Sequence, residues 1–128
     1  MAEKIKLVRG DTRPQIKSII KGGTSGAPIS LVGATVRLYF RAAGAATLQA
    51  TLTGALQTGL EADDGSVNTG APYNVAGAGG RVIFPWAAAD LLCEPGDYEG
   101  EIEVIFADGS KQTVFELLKF KLRADLAN

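Results

Sequence analysis

The stretch "DYEGEIEVIFADGSKQTVFELLKFKLRADL", residues 97–126, decides the fold because apolar residues recur at alternate positions in its first half. A period of two is typical of a strand with one buried face. The apolar set is Tyr98, Ile102, Val104 and Phe106, and the acidic set between them is Glu99, Glu101 and Glu103. Asp108-Gly109 is a preferred pair for a two-residue type I′ turn, so we predict a hairpin that closes at this pair.

The return strand of this hairpin carries a second pattern. A two-residue turn places Thr113 and Phe115 opposite Val104 and Ile102, on the apolar face. Farther along, the apolar positions become Leu118, Phe120 and Leu122, which is a change of phase by one residue. We therefore predict a bulge or break near Glu116–Leu118.

Working outward, five other stretches predict strands or edge strands from their alternation and from the turn residues that bound them. They are "EKIKLVRG" (3–10), "PQIKSIIKGG" (14–23), "GATVRLYFR" (33–41), "TLQATLTG" (47–54) and "GRVIFPW" (80–86). Residues 61–80 show no sustained period and predict a long loop, and "AAADLL" (87–92) predicts one helical turn. With seven to nine short strands, residues 1–128 predict one all-β domain, an antiparallel β-sandwich.

The tripeptide Arg9-Gly10-Asp11 is one that adhesive ligands present to integrins, but its neighbours favour a structural reading. Asp11 can bond its own backbone, Pro14 removes a ladder donor, and Gly10 permits a close bend. We predict that Gly10, Asp11 and Pro14 form the corner between the first two strands, as Asp108 and Gly109 form the corner of the long hairpin.

Four landmarks in order resemble the N-terminal domain of phage baseplate upper proteins. They are Gly10 to Pro14, Leu31 to Val36, Pro95 to Tyr98 and Phe106 to Gly109. The resemblance implies an immunoglobulin-like sandwich that acts as a structural module of a tailed-phage virion, in the tail or baseplate. It also implies other virion proteins as partners, a homo-oligomer within the particle, and location in the virion after synthesis in the host bacterial cytoplasm. Two features depart from the pattern, namely the long stretch 54–80 and the ending "FELLKFKLRADL".

The amino-acid composition excludes several kinds of catalytic and metal-binding site. The chain has no histidine and one cysteine, Cys93, which excludes Ser-His and Cys-His catalysis, internal disulfides and multi-cysteine metal sites. No secretory signal and no apolar run long enough for a membrane span are visible. We expect no enzyme activity, no cofactor, no metal and no membrane partner, and we expect Cys93 to be a packed, inert thiol.

Charge is distributed unevenly along the chain. Residues 1–41 have a net charge of +6, residues 42–60 have no charged side chain, and residues 61–108 have a net charge of −9. The basic front and the acidic middle could fold against each other or meet on neighbouring copies. The candidate interface residues are Lys4, Lys6, Arg9, Arg13, Asp63, Asp64, Glu99, Glu101 and Glu103.

The sequence also contains weak signals for phosphate, calcium and nucleic-acid sites. "AGAGG" (76–80) lacks the Lys-Ser/Thr of a phosphate loop, and the acidic turn with Glu61, Asp63, Asp64 and Asn68 lacks the spacing of an EF-hand. Basic residues without nearby aromatic residues do not favour nucleic acid. Trp86 and Tyr98 could form a sugar platform, but a core or corner position is the simpler interpretation of a lone tryptophan at a strand end. Two alternatives to a tail role remain: a capsid cement protein that clamps neighbouring subunits with residues 54–80, and a module that binds host glycans through Trp86 and the long loop.

Overall fold

The computed structural model describes residues 4–22, 26–114 and 116–126, and within them it is all-β, as the sequence predicts. Several sheets pack together as a β-sandwich. The strands are β1 (Ile5–Val8), β2 (Ile16–Ile19), β3 (Thr35–Ala42), β4 (Ala50–Thr53), β5 (Ala55–Leu56), β6 (Leu60–Glu61), β7 (Val67–Asn68), β8 (Arg81–Phe84), β9 (Gly96–Ile105), β10 (Lys111–Thr113) and β11 (Leu118–Arg123). The described strands number eleven, more than the seven to nine expected, because the stretch 54–80 contributes three very short ones.

The first sheet has the order β1-β11-β9-β3-β4, and β10 pairs with the far end of β9. β1 runs parallel to β11, with Ile5 opposite Phe120, so the prediction of purely antiparallel layers was wrong at this edge. Alternation fixes which side chains point inward but not the direction of the neighbouring strand.

The second sheet has the order β2-β8-β5, and β6 and β7 form a separate two-stranded ribbon. The core combines buried side chains from both larger sheets. These are Leu7, Ile16, Ile20, Leu31, Val36, Leu38, Phe40, Leu52, Val82, Phe84, Trp86, Leu91, Tyr98, Ile102, Val104, Phe120 and Leu122. Phe40 lies at the centre of an aromatic cluster, stacked on Tyr98 and edge-on to Trp86 and Phe120.

The alternation in the long strands correctly predicts their buried faces. Val36, Leu38 and Phe40 of β3 are buried, as are Ile102 and Val104 of β9. In "TLQATLTG" only Leu52 enters the core, because β4 begins at Ala50 and Leu48 is half-exposed outside it.

The turn at Asp108-Gly109 forms, but it is not type I′. That type needs a positive φ at both central residues, whereas Gly109 has φ +88° and no described non-glycine residue has a positive φ. Phe106 N donates to Ser110 O at 2.8 Å, which makes a three-residue loop. The extra residue moves the register by one, so Thr113 lies opposite Glu103 and not opposite Val104. Phe115 lies outside the described residues.

The predicted break is present, since β10 ends at Thr113 and β11 begins at Leu118. The predicted change of phase by one residue is absent. Gln112 pairs with Val104 in β10, and Leu118 pairs with Gly100 in β11. The chain therefore inserts an even number of residues between the two ladders, and the same face stays inward throughout.

Residues 61–80 are structured, in contrast to the predicted long loop. β6 and β7 form a hairpin, and turns 71–79 return to the sandwich with Gly77, Gly79 and Gly80 buried. A Cβ at Gly79 would collide with the carbonyl of Gly59. Backbone-to-backbone packing of this kind produces no side-chain periodicity, which explains why the sequence did not reveal it.

The stretch 87–92 contains hydrogen-bonded turns and not the expected helical turn. Asp90 N donates to Ala87 O at 3.0 Å, and the Asp90 carboxylate accepts from Ala87 N at 2.8 Å. In the described part of the chain, no helix has the length and apolar character that crossing a membrane requires.

Candidate interaction surface

The outer face of the first sheet carries the glutamates of β9 between basic strands. Register places Arg37 opposite Glu103 and Arg41 opposite Glu99 in β3, and Lys119 opposite Glu99 in β11. Opposite charges directly across a ladder stabilise the pairing of strands. Of the three glutamates, Glu99 has cations on both neighbouring strands, Glu103 has Arg37 on one side, and Glu101 lies opposite Tyr39.

Glu99 is the most enclosed of the three glutamates. Arg41 donates to its carboxylate through Nε at 2.7 Å and through Nη2 at 2.5 Å, and Lys119 Nζ lies 3.6 Å away. The hydrogen bond from Arg41 outweighs the cost of burial and lowers the pKa of Glu99. This carboxylate is committed within the chain and offers little to a partner.

Glu103 and Glu101 differ in their partners. The hydroxyl of Tyr39 donates to Glu103 Oε1 at 2.7 Å, and this bond, with burial, raises the pKa of Tyr39. Glu101 is exposed, and its carboxylate has no ion pair among the described residues. It borders a small hollow of about 120 Å³ between Leu48 and Leu117. Of the three glutamates, Glu101 is the one free to meet another molecule.

The basic front is split between internal contacts and exposed positions. Lys4 Nζ binds Asp97 Oδ1 at 2.9 Å and lowers the pKa of Asp97. Arg9 Nε donates to Cys93 O at 3.2 Å. Lys6 lies beside Lys121 on the outer face, and Arg13 is exposed. The Lys4 and Arg41 ion pairs show the basic front and acidic middle folding against each other, as one of the two interpretations predicts.

Asp63 and Asp64 lie at the tip of the β6–β7 hairpin and are exposed. Asp64 Oδ1 accepts from Ser66 N at 2.9 Å and from Ser66 Oγ at 2.6 Å, which lowers its pKa. The described residues contain no group of three or more metal-ligating side chains. This acidic tip closes a hairpin, and it stands apart from the β9 glutamates, which belong to another sheet.

The corner after β1 is built by backbone contacts. Asp11 N donates to Val8 O at 3.1 Å across Gly10, whose φ is +84°, and Gly10 N donates to Leu91 O at 3.1 Å. The indole Nε1 of Trp86 donates to Pro14 O at 2.9 Å. Arg9-Gly10-Asp11 lies where the chain passes from β1 in one sheet to β2 in the other.

The aromatic side chains proposed as a glycan platform are in the core. Trp86 and Tyr98 are each only 5% exposed. The hydroxyl of Tyr98 donates to Glu94 O at 2.6 Å, and burial raises the pKa of this tyrosine. Cys93 is half-buried against the core. A sugar could not stack on either ring without opening the sandwich.

A groove of about 390 Å³, not predicted from the sequence, lies on the outer face of the second sheet. Lys17, Lys21 and Arg81 line it around Ile19 and Ile83. Arg81 Nε lies 3.7 Å from Glu61 Oε1, which fixes one of the three cations. The signal was the alternation of Lys17, Ile19 and Lys21, which places these residues together on the outward face of β2.

Fold and surface define an all-β sandwich whose outer faces carry charge and whose core contains Phe40, Phe84, Trp86, Tyr98 and Phe120. Comparison with models of protein families, with curated proteins and with solved structures finds no match.

Proposed function

We propose that this chain is a structural component of a tailed-phage virion, in the tail or baseplate, and that it works by docking to other virion proteins. The observation that carries the proposal is the ordered set of four landmarks. They lie at the corner after β1, the entry to β3, the start of β9 and the β9–β10 turn. Four landmarks in the same order and at defined corners of one sandwich are a more specific resemblance than any one of them.

We also infer that the sandwich is immunoglobulin-like. Its second sheet, β2-β8-β5, corresponds to strands B, E and D of that fold, and β3-β9-β11 corresponds to C, F and G with β4 as C′. At the start of β9 the bond from Tyr98 to Glu94 O has the form of a tyrosine corner. Gly100 stands two residues after this tyrosine, where antibody domains have a cysteine.

Docking suits the surface better than catalysis does. The outer carboxylates of β9 are largely paired, and the two hollows are open to solvent. Charged strand faces and free edges are the features with which sandwich modules contact other proteins.

The test is to locate the protein in purified particles. Labelling an epitope-tagged copy in electron micrographs, with detection of the chain in gradient-purified virions, is expected to place it on the tail. Absence from virions would refute the proposal, and label on the shell would favour the capsid alternative. A tag on an unrelated non-structural protein serves as the matched control.

The two alternatives have less support. The cement hypothesis relied on residues 54–80 as a free clamp, but this segment contributes β5, β6 and β7 and buries three glycines. The glycan hypothesis relied on an exposed Trp86, which is buried. A glycan array on the purified protein is expected to give no signal.

A further inference from the structure

β4 forms one edge of the first sheet, and half of its backbone groups point away from the sheet. Gly54 N donates to Val36 O at 2.7 Å. Because bonded and non-bonded pairs alternate in an antiparallel ladder, Leu52 and Ala50 also face β3. The N–H and C=O groups of Thr51 and Thr53 therefore face outward, and no bond from outside the strands reaches them within the described chain. The open edge begins after Gln49, whose Nε2 donates to Asp90 O at 3.3 Å.

Two of the features that usually prevent strands from pairing between molecules, lysine and proline, are absent from this edge. Lysine, proline and bulges protect the edges of natural sheets. The opposite edge of the same sheet has Lys6 on β1 with Lys4 just before it, and the second sheet has Lys17 on β2 with Lys21 just after it. β4 lies within residues 42–60, a segment without charged side chains and without proline.

The sequence of β4 is also self-complementary. Around Leu52 the chain reads Ala-Thr-Leu-Thr-Gly, so a twofold axis at Leu52 brings Thr51 opposite Thr53 of a second copy and Ala50 opposite Gly54. Residues of similar size meet at every position, as an isologous interface requires. Threonine pairs across a ladder are favourable.

We propose that β4 is the site at which a second copy of this chain adds in antiparallel orientation, joining two first sheets across a twofold axis. Thr51 and Thr53 of each copy then exchange backbone hydrogen bonds, which makes four bonds across the axis. Leu52 stays in its own core, where it is 3% exposed. A four-residue edge buries little area, so association is weak and increases with the local concentration that an assembly provides.

Pairing through β4 rests on the proposed docking role for its biological setting. The experiments that test the pairing do not depend on that role. Virion labelling reports whether the protein is a particle component. The mass of the purified protein and exchange at two backbone amides report whether β4 pairs, whichever particle contains it.

The first experiment measures the full chain by sedimentation across a concentration series, with amide hydrogen exchange at the highest and lowest concentrations. We expect a concentration-dependent dimer in which the Thr51 and Thr53 amides become at least about tenfold more protected. The Leu52 amide, bonded to β3, is protected at both concentrations. A monomer throughout, with Thr51 and Thr53 unprotected, overturns the proposal.

Charge variants test the register. Thr51→Lys and Thr53→Lys each place a cation at the twofold seam and are expected to abolish the dimer. The double variant Thr51→Lys/Thr53→Glu puts each new cation opposite a new carboxylate of the other copy and is expected to restore it. Thr113→Lys, the same change at an exposed position on β10, is the control and leaves association unchanged. A dimer that survives both single changes, or that the double variant fails to restore, overturns the proposal.

Discussion

Two hairpins in this molecule have the same turn, but the strands that the turns join differ in length and burial. Ala62 N donates to Ser66 O at 2.8 Å around Gly65, and Phe106 N donates to Ser110 O at 2.8 Å around Gly109. The two glycines have φ +89° and +88°. In each turn the aspartate before the glycine accepts from the serine after it, at 2.9 Å from N and 2.6 Å from Oγ.

The strands that these turns join differ in length, exposure and number of partner strands. The first turn joins the two-residue strands β6 and β7 in an exposed ribbon, and the second ends the ten-residue β9, which pairs with β3, β10 and β11. Asp-Gly-Ser therefore sets the turn, whereas the alternation that precedes it sets whether the hairpin reaches the core. Apart from the pH dependence of Glu99, each prediction below makes a corresponding change in both hairpins.

The largest difference between the two hairpins is expected in the free energy of unfolding when an apolar side chain is removed. Ile102→Ala in β9 leaves a cavity in the core and should lower the free energy of unfolding by about 2–5 kcal/mol. Val67→Ala in β7, where the side chain is 40% exposed, should change it by less than about 0.5 kcal/mol. Urea denaturation of both variants checks this, and comparable losses would show that the ribbon belongs to the core.

The next difference concerns ion pairs. Glu99→Gln removes the charge that Arg41 contacts in an enclosed position and should cost about 1–2 kcal/mol at neutral pH. Glu61→Gln, beside Arg81 at 3.7 Å, should cost less than about 0.5 kcal/mol.

The dependence on pH follows from the lowered pKa of Glu99. Its stabilising contribution is complete above the pKa of an unfolded glutamate and is lost as pH falls through the lower folded value. Denaturation at neutral and acidic pH should therefore show the Glu99→Gln deficit disappearing in acid. A deficit that persists in acid would mean that shape, and not charge, accounts for it.

A smaller effect is expected at the turns. Gly109→Ala forces a side chain into the left-handed region and should cost about 1 kcal/mol, since no atom lies near the added Cβ. Gly65→Ala introduces the same strain, but the short ribbon can open locally, so its effect on global unfolding should be at most about half as large. Equal losses in thermal unfolding would indicate that both hairpins unfold with the whole domain.

The smallest expected effect is a change in the pKa of the aspartate in each turn. Ser110→Ala and Ser66→Ala each remove a hydroxyl that lowers the pKa of the neighbouring aspartate. Both pKa values should rise toward the ordinary aspartate value by similar amounts, because the turns are alike. NMR titration of the Asp108 and Asp64 carboxyl groups measures this, and a rise at only one site would show that the strands alter the turn.

The sequence predicted the parts of the fold that side chains encode. Alternation in β3 and β9 gave their buried faces, and Gly10 and Asp108-Gly109 gave two corners. Alternation placed Glu99, Glu101 and Glu103 on one face of β9, but it did not predict that Arg41 and Lys119 would contact Glu99 from two strands. That arrangement requires the order β11-β9-β3, which alternation does not specify.

Two of the errors have physical origins in glycine and turn geometry. The hairpin register was wrong because Asp108 does not adopt a positive φ, so the loop contains one residue more than a type I′ turn. Residues 61–80 were predicted as a loop because their packing depends on glycines, such as Gly79 against Gly59, that leave no apolar pattern.

The parallel pairing of β1 with β11 has a consequence for synthesis. Ile5–Val8 leaves the ribosome before its hydrogen-bond partners in Leu118–Arg123, which are translated more than a hundred residues later. This edge cannot close while the chain is still growing through the intervening strands. Contacts so distant in sequence form slowly, and the pairing of Ile5–Val8 with β11 must wait until translation has passed Arg123.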